Sequence, residues 1–361
     1  MWPRARSGRA FGLDVFGYFL SEIGLGEAAR LIAGALDAAA ISASLVNIPL
    51  PGRQAEAAMA GRIAQAGDHR AALSVSSVTE LASFARRACR GQQNIHYSYW
   101  ELPSVPPSWR WTFDGFDSFW APTTFVRDML VSVQQHPVHL VPQPIALPAG
   151  APIASAFRAP LRILTFVDYD SFVARKNPQG AIEAFLQAFP TGREDVELIV
   201  KARGAAMSSA RGELHALMAR DRRIRVIDCT ITREDVATLM ASSDVFLSLH
   251  RSEGFSLGCA EAMANGKAVV ATNFGGNCDF VTDATGYPVD FRRVPVSAQD
   301  YPGAEGSYWA EPSVAHAAEL LRSIYDVPGQ ASAKAQAGYS HLKAHNSFEA
   351  VGQRMRALLA G

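Results

Sequence analysis

Residues 244–273, DVFLSLHRSEGFSLGCAEAMANGKAVVATN, place a helical pattern between two strand patterns. DVFLSLH is typical of a strand, EGFSLGCAEAMANG of a loop that enters a helix, and KAVVATN of the next strand. Two glutamates, Glu253 and Glu261, lie eight positions apart in the loop and the helix. This alternation predicts a parallel α/β sheet, in which ligands bind at the carboxyl ends of the strands.

The same alternation extends in both directions along the chain. Strands are predicted in FGLDVFGYF, ISASLVNIP, NIHYSYW, DSFWAP, VHLVPQP, LRILTFVDY, VELIVKA and RIRVIDC. NPQGAIEAFLQAF predicts a helix with Asn177 as N-cap and Pro178 at its first position, and Thr232 is the predicted N-cap of TREDVATLMASS. The Pro- and Ala-rich segment 141–160 lacks periodicity and is a predicted linker. We therefore expect Rossmann-like domains at 1–150 and 151–340, and a final helix at 341–361 that packs back on the first domain.

Composition excludes several classes of protein. The 361 residues include 34 Lys and Arg against 34 Asp and Glu, so bulk positive charge for binding nucleic acid is missing. The four cysteines form no CxxC pair, which argues against a metal cluster or a disulfide framework. Arginines precede an apolar run at the start of the chain, but Asp14 interrupts that run, which favours a first strand over a signal peptide. We expect a soluble cytoplasmic protein, with peripheral association at the inner membrane face.

The two glutamates flank a helix start near Ser256. The backbone N–H groups of Phe255, Ser256 and Leu257 would be donors without helical partners there. Carboxylates beside such amides suit a ligand rich in hydroxyls, because a hydroxyl both donates and accepts. The alternative is that Glu253 only stabilises the helix dipole and that Glu261 is solvated.

The wider stretch 248–280, SLHRSEGFSLGCAEAMANGKAVVATNFGGNCDF, resembles the C-terminal signature of retaining glycosyltransferases of family four. The resemblance implies the GT-B fold, two Rossmann-like domains that face each other across an interdomain cleft. It also implies that Glu253 contacts the transferred sugar and that Glu261 binds the ribose hydroxyls of the nucleotide. Ser256 departs from the family, which commonly has Gly at that position.

Residues 166–185, FVDYDSFVARKNPQGAIEAF, extend the resemblance. It implies that Arg175 and Lys176 hold the donor diphosphate at a helix N-terminus. The family often has an Arg directly after this strand, where this chain has Asp-Tyr-Asp at 168–170. We expect Lys201 to take the place of that Arg as a phosphate ligand. We interpret the Asp-Tyr-Asp triplet as loop structure, and we expect chemistry without a divalent metal or another cofactor.

The amino-terminal half resembles the family more loosely. GYFLSEIGLGEAAR matches a glycine loop before the first helix, in which Gly24 and Gly26 would let the backbone approach the donor. YWELPSVPPSWRW and FDSFWAPTTFVRD resemble a bacterial subgroup active on cell-surface polysaccharides. Trp100 and Glu101 are the predicted contacts to the acceptor, although Trp100 equally suits an ordinary core.

The resemblance implies transfer of a hexose, with mannose from GDP-mannose ahead of UDP-hexoses, to a glycan or a lipid-linked acceptor. A sugar-nucleotide epimerase, a phosphorylase of the same fold and a non-catalytic sugar-binding homologue stay open. GLGEAA at 24–29 also fits the GxGxxA pattern of dinucleotide-binding oxidoreductases. No acidic residue follows about 20 positions later, in SASLVNIPLP, which disfavours that class.

Overall fold

The computed structural model describes residues 8–50, 57–85, 92–150, 159–192, 194–204 and 209–361. The chain divides into two units. Unit 1 comprises Met1–Ala146 and Lys343–Gly361, and unit 2 comprises Leu147–Leu342. Part of the predicted linker, 151–158, lies outside the described residues.

Unit 1 contains a parallel sheet of six described strands in the order β2-β1-β3-β4-β5-β6. The strands are β1 (Ala10–Gly17), β2 (Ala43–Asn47), β3 (His69–Ser77), β4 (Gln93–Tyr99), β5 (Ser118–Ala121) and β6 (Val138–Leu140). The helices before residue 146 are α1 (Gly24–Ala38), α2 (Leu81–Ala85) and α3 (Thr124–Val133), with short 3-10 segments at Ala57–Arg62, Val78–Glu80 and Pro107–Gly115.

Unit 2 contains a second parallel sheet of six described strands, in the order β12-β11-β10-β7-β8-β9. The strands are β7 (Leu161–Asp168), β8 (Val196–Arg203), β9 (Ile224–Asp228), β10 (Val245–Ser248), β11 (Ala268–Thr272) and β12 (Tyr287–Val289). The helices are α4 (Val173–Lys176), α5 (Pro178–Ala188), α6 (Ser209–Met218), α7 (Arg233–Ala241), α8 (Leu257–Ala264), α9 (Val314–Asp326) and α10 (Pro328–His345). A 3-10 segment spans Gly276–Asp279.

Two further strands of unit 2 form an antiparallel hairpin outside the main sheet. They are β13 (Phe291–Pro295) and β14 (Tyr308–Pro312), and residues 296–307 connect them. We call residues 291–312 the hairpin.

The last helix, α11 (Phe348–Ala360), belongs to unit 1 and packs on α1. Two glycines allow the close approach. A Cβ on Gly34 would lie 2.8 Å from the Phe348 ring, and one on Gly352 would lie 2.2 Å from the carbonyl oxygen of Ala35. The helices therefore meet at positions where a larger side chain would force them apart.

Both sheets have apolar cores made mainly of strand residues and the helices that cover them. In unit 1 the fully buried residues include Leu13, Leu73 and Tyr97 on adjacent strands. In unit 2 they include Ile163 and Val270. The predicted two-domain α/β fold is confirmed. Every strand predicted from the sequence is present, but β3, which lies in the middle of the unit 1 sheet, and β12, β13 and β14 of unit 2 were not predicted.

A buried carboxylate joins three strands at the amino edge of the unit 1 sheet. Asp14 is fully buried. Its Oδ1 accepts from His69 Nδ1 at 2.7 Å and from the Gly67 backbone N–H at 2.9 Å, and its Oδ2 accepts from Gln92 Nε2 at 2.6 Å. We call Asp14, His69, Gln92 and Gly67 the Asp14 cluster. Burial favours the protonated acid, but the bonds from His69, Gln92 and Gly67 outweigh it and lower the pKa of Asp14.

Candidate active site

The order of the unit 2 strands locates the candidate site. From β7 the chain order of the strands runs outward in one direction through β8 and β9, and in the other through β10, β11 and β12. β7 and β10 are neighbours, so the connections that leave their carboxyl ends diverge and open a crevice between them. α4 follows β7 at this crevice, and the loop that carries Glu253 follows β10.

The two segments meet through one carboxylate and two cations. Glu253 lies 3.1 Å from Arg175, measured from Oε2 to Nη1, and its Oε1 accepts a hydrogen bond from Lys176 Nζ. The Glu253 side chain is 10% exposed and that of Arg175 is 7% exposed, whereas Lys176 is 31% exposed. We call these three residues the Glu253 cluster. Lys176 is the member most accessible to a ligand.

The electrostatics of the Glu253 cluster favour full ionisation. Burial would raise the pKa of Glu253, but Lys176, Arg175 and His250 outweigh it and lower the pKa to about 2. The carboxylate is therefore charged at neutral pH. Two cations against one carboxylate leave the cluster with a net positive charge, which suits an anionic ligand such as a diphosphate.

A left-handed residue holds Lys176 at the crevice. Asn177 has φ 48° and ψ 54° and ends α4. Its Oδ1 accepts from the Gly180 N–H at 3.3 Å, which caps α5, and its Nδ2 donates to the Leu249 carbonyl at 2.9 Å. The predicted cap and the predicted Pro178 helix start are confirmed. Asn tolerates the left-handed region better than most residues, so this corner suits it.

A glycine turn holds Glu253 from the other side. Gly275 has φ 101°, and a Cβ there would lie 2.5 Å from the Glu253 carbonyl oxygen. The N–H of Gly276 donates to the same oxygen at 2.8 Å. Only glycine provides both the backbone conformation and the space at position 275.

His250, which was not singled out from the sequence, connects this turn to β10. It is fully buried; its Nδ1 lies 2.9 Å from Ser248 Oγ and its Nε2 lies 3.0 Å from Asn277 Oδ1. The Asn277 amide N–H group donates to the Thr272 carbonyl, so its oxygen faces His250 as an acceptor. His250 Nε2 therefore carries a hydrogen, and burial lowers the pKa of His250, which keeps the ring neutral at neutral pH.

The helix after Glu253 begins one residue later than the start predicted near Ser256. Ser256 is the N-cap of α8, with φ 71°, and Leu257 is the first helical residue. The left-handed conformation at Ser256 explains why glycine suits this position in the family signature. The amide of Leu257 lies in the first turn, whereas those of Phe255 and Ser256 precede it.

The second glutamate lies one turn inside α8. Glu261 is half-buried and four residues after Leu257, about 6 Å along the axis at 1.5 Å per residue. Its predicted contact to ribose stays a prediction. Cys259 lies between Leu257 and Glu261 on the same helix. Burial raises the pKa of its thiol to about 12, so Cys259 is not a thiolate nucleophile at neutral pH.

Lys201 does not present its ammonium to the crevice. It is 6% exposed, and its Nζ donates to the carbonyls of Ala202 and Cys229, each at 2.9 Å. Burial lowers the pKa of Lys201. Arg203, two residues further at the end of β8, is 40% exposed and pairs with Asp168 at 2.6 Å. Arg203 was not predicted from the sequence as a site residue. The strand VELIVKAR places it at the same edge of the sheet as Lys201.

The unit 1 residues named from the sequence differ in their surroundings. Gly24 and Gly26 lie in the first turn of α1, and a Cβ on Gly26 would lie 2.2 Å from the Ser21 carbonyl oxygen. Trp100 is fully buried, and its indole N–H donates to the Ser104 carbonyl at 2.8 Å. The structure thus places Trp100 in the core rather than at a surface that an acceptor reaches. Glu101 is partly exposed.

Among the residues that the structure describes, no group of three or more His, Cys, Asp or Glu side chains is arranged to hold a metal ion. Asp168 is the last residue of β7 rather than a loop residue, and it engages Arg203; its Oδ1 accepts from the Asp170 N–H at 3.0 Å, so the predicted loop begins at Tyr169. None of the described helices combines the length and hydropathy needed to cross a bilayer.

Comparison with known proteins adds the family context. Residues 171–298, which include the Glu253 cluster, match the family model described as glycosyl transferases group 1. A curated relative from Corynebacterium glutamicum is 28% identical over 196 residues, 52% of this chain and 44% of the relative. It is a GDP-mannose-dependent monoacylated alpha-(1-6)-phosphatidylinositol monomannoside mannosyltransferase. The chain therefore spans less than half the length of this relative.

Solved structures show the same architecture at low identity. Sucrose-phosphate synthase from Thermosynechococcus elongatus has a TM-score of 0.66 at 15% identity, with 97% of this chain and 98% of that chain covered. HepE from Anabaena, in complex with UDP-glucose, has a TM-score of 0.63 at 14% identity, with 97% and 100% covered. The chain therefore has the fold of a GT-B glycosyltransferase. More particularly, residues 171–298 of its second unit are similar to the glycosyl transferases group 1 family.

Proposed function

We propose that this protein is a glycosyltransferase that moves a sugar from a nucleotide-sugar donor to an acceptor hydroxyl. The observation that carries the proposal is the Glu253 cluster. It lies at the carboxyl ends of β7 and β10, within the segment that matches the family model. A positive cluster beside two helix N-termini, those of α5 and α8, is suited to a diphosphate.

The reaction breaks the bond between the anomeric carbon and a diphosphate oxygen and forms a bond from that carbon to the acceptor oxygen. Negative charge accumulates on the leaving diphosphate. Lys176, Arg175 and the helix N-termini would stabilise that charge without reorganising at the moment of reaction. The acceptor proton passes to the departing phosphate oxygen, so no side-chain base is required. We also propose retention of the anomeric configuration, as in family four, and chemistry independent of a divalent metal.

The positions of the two glutamates support the roles that we propose for them. Glu253 is ionised and fixed by its two cations and by Gly276, so it can accept hydrogen bonds from sugar hydroxyls at a defined place. Glu261 is half-buried inside α8 and would accept from ribose hydroxyls. A carboxylate that accepts from a hydroxyl forms a charge-assisted bond, worth about 1.5–3 kcal/mol.

The donor and the acceptor are finer parts of the proposal. The mannosyltransferase relative supports GDP-mannose, and the complex of HepE with UDP-glucose supports a UDP-hexose. We favour mannose from GDP-mannose, transferred to a glycan or lipid-linked acceptor in surface polysaccharide synthesis at the inner face of the membrane. The relative named for a phosphatidylinositol mannoside supports the lipid-linked alternative.

The test begins with binding. Thermal unfolding of the purified protein is followed with GDP, GDP-mannose, UDP or UDP-glucose, each with and without EDTA. We expect a raised melting temperature with one nucleotide series, unaffected by EDTA. A ligand at 100 times its dissociation constant stabilises the native state by about 2.7 kcal/mol, which is easily measured.

The second step separates transfer from the other reactions open to this fold. Release of nucleoside diphosphate is measured with the preferred donor, with and without a polyprenyl-linked or oligosaccharide acceptor. Release that depends on the acceptor supports a transferase, and NMR of the product anomeric proton reports retention. Epimerised donor without release would replace the proposal with an epimerase. Binding of all nucleotides at only millimolar concentration would contradict it altogether.

A further inference from the structure

Arg251 lies two residues before Glu253 in the same loop and contacts two other parts of unit 2, α4 and the hairpin. Its backbone N–H donates to the Arg175 carbonyl at 2.7 Å, and its Nη1 donates to the Ala174 carbonyl at 2.6 Å. Its own carbonyl accepts from the Ala310 N–H of β14 at 2.9 Å. Arg251 therefore joins α4, the Glu253 loop and the hairpin.

The hydrogen bonds from Arg251 to α4 satisfy carbonyls that the helix itself cannot. The last carbonyls of a helix lack partners within it, and α4 has only four residues. The Val173 carbonyl accepts from the Asn177 N–H at 2.9 Å, and Arg251 supplies donors for the next two carbonyls. A guanidinium at a helix C-terminus also interacts favourably with the helix dipole. The short helix that carries Lys176 is thus held from outside.

The hairpin in turn fixes the Arg251 side chain. Glu311 of β14 accepts two hydrogen bonds from its guanidinium, 2.8 Å from Nε and 3.1 Å from Nη2. This bidentate geometry, which we call the fork, fixes the orientation of the Arg251 guanidinium more firmly than a single hydrogen bond would. The guanidinium carbon also lies 5.7 Å from the centre of the Trp309 ring. The side chains are 22% and 29% exposed, so water only partly screens the pair.

The connection of the hairpin reaches α4 independently. Tyr301 is 4% exposed, and its ring lies 4.7 Å from that of Phe172, the N-cap of α4, at 61°. The Arg175 guanidinium carbon lies 5.8 Å from the centre of the same Tyr301 ring. The hairpin thus contacts α4 at its beginning through Tyr301 and at its end through Arg251.

We propose that Arg251, held by Glu311, is a positioning residue that fixes Lys176 for the leaving diphosphate. This inference rests on the proposed function. It requires no contact of Arg251 with the donor, because the side chain acts through the backbone of α4. A displacement of about 1 Å at a catalytic group can cost on the order of 10²-fold in rate. Loss of the fork would allow α4 a displacement of that kind.

A double-mutant cycle tests the proposal. Arg251→Lys keeps the charge but removes the fork, and Glu311→Gln keeps the shape but removes the ion pair. Each is made in the wild-type background and in the Lys176→Ala background, and kcat, KM and melting temperature are measured for each. In the wild-type background we expect kcat to fall about 10-fold or more. In the Lys176→Ala background we expect less than a threefold further fall, because no Lys176 remains to be misplaced.

The control is Arg322→Lys, which alters an exposed pair with Asp326 on α9, at 3.1 Å. It should leave kcat, KM and the cycle unchanged. An equal loss of kcat in both backgrounds would overturn the positioning role. So would a variant that has a lowered melting temperature but a normal kcat when it is assayed well below that temperature. In either case an active wild-type enzyme leaves the proposed function intact. A wild type that neither transfers sugar nor binds a nucleoside diphosphate would overturn both.

Discussion

The Asp14 cluster of unit 1 and the Glu253 cluster of unit 2 both contain a buried carboxylate with a lowered pKa. Asp14 is held by an imidazole, an amide side chain and a backbone N–H. Glu253 is held by two long cationic side chains. The first arrangement lies at the amino edge of its sheet and the second at the carboxyl edge.

The difference between them lies in the partners rather than in the carboxylates. The partners of Asp14 are short or fixed by the backbone and join three adjacent strands, so its arrangement serves the fold. Lys176 is flexible and 31% exposed, so it can contact Glu253 and a ligand from the same position. A perturbed pKa alone would rank both clusters as candidate sites. The accessible cation distinguishes the one that we propose to be functional.

The largest effect is expected from Glu253→Gln. Removing one partner of a buried ion pair leaves the 7% exposed Arg175 without its counter-charge, a loss of about 3–5 kcal/mol. Chemical denaturation at pH 7 measures it. Turnover should also fall more than affinity for free nucleoside diphosphate, because the proposed partner of Glu253 is the sugar. Equal losses of turnover and of diphosphate affinity would contradict that assignment.

The pH dependence of stability sharpens the same prediction. The pKa of Glu253 is lowered to about 2, below its ordinary value. The unfolded chain therefore binds this proton more readily than the native state does. The stabilisation is fully present above about pH 4.5 and is lost as the pH falls towards 2. Glu253→Gln should lose this part of the acid sensitivity, as measured by denaturation at several pH values.

Lys176→Ala comes next. A preorganised charge beside the leaving group matters more in the transition state than in the bound donor. Its removal should lower kcat by on the order of 10²–10³. Because Lys176 is partly exposed, the circular dichroism spectrum should not change. Normal turnover at saturating donor would exclude Lys176, and the 40% exposed Arg203 would be the next residue to test.

Much of this site could be predicted from the sequence. Glu253, Lys176, Arg175 and the Asn177 cap follow from local patterns and from the family resemblance. That Glu253 contacts both cations could not be predicted, because the contact joins segments 77 residues apart. The direction of the Arg175 side chain could not be predicted from the sequence either. The structure buries it against Ser252 and Glu253, so its substitution should also destabilise the fold.

Other elements were missed for physical reasons. β3, HRAALSVSS, is mostly Ala and Ser, with a single Val as its β-branched residue, so its propensity for a strand is weak. It is a strand because its neighbours β1 and β4 pair with it on both sides. The contact between Arg251 and Glu311 depends on the hairpin, whose two strands are five residues each and whose connection has no regular pattern. Both β3 and the contact between Arg251 and Glu311 therefore depend on tertiary contacts rather than on local sequence.

Glu261→Ala should have a smaller effect and a different signature. Loss of charge-assisted bonds to ribose should weaken binding by about 1.5–3 kcal/mol. Free nucleoside diphosphate and nucleotide sugar should lose affinity equally, as calorimetry would measure. Glu261 is half-buried, so the melting temperature without ligand should stay near that of the wild type. Unchanged affinity for the diphosphate would remove Glu261 from the ribose site.

The smallest effect is expected from Asp14→Asn, and it falls on the fold alone. Asp14 accepts three hydrogen bonds, and an Asn has only one oxygen to replace two. The new NH₂ would face either Gln92 Nε2 or the His69 and Gly67 donors. Rotation of the Gln92 amide gives no relief, because its Nε2 also donates to the His69 carbonyl at 2.8 Å.

At least one buried donor in the Asp14→Asn variant therefore loses its acceptor, at a cost of about 1–3 kcal/mol. Because the pKa of Asp14 is lowered, its contribution is present above the ordinary Asp value near 3.9 and lost as the pH falls below it. The variant should thus be destabilised at pH 7 and less so at pH 3. Asp68→Asn, at a side chain that is 78% exposed, is the matched control and should change the free energy of unfolding neither at pH 7 nor at pH 3. Nucleotide affinity should equal that of the wild type in both variants. A selective loss of nucleotide affinity in Asp14→Asn would show that the Asp14 cluster also serves the ligand, and the distinction between the two carboxylates would fail.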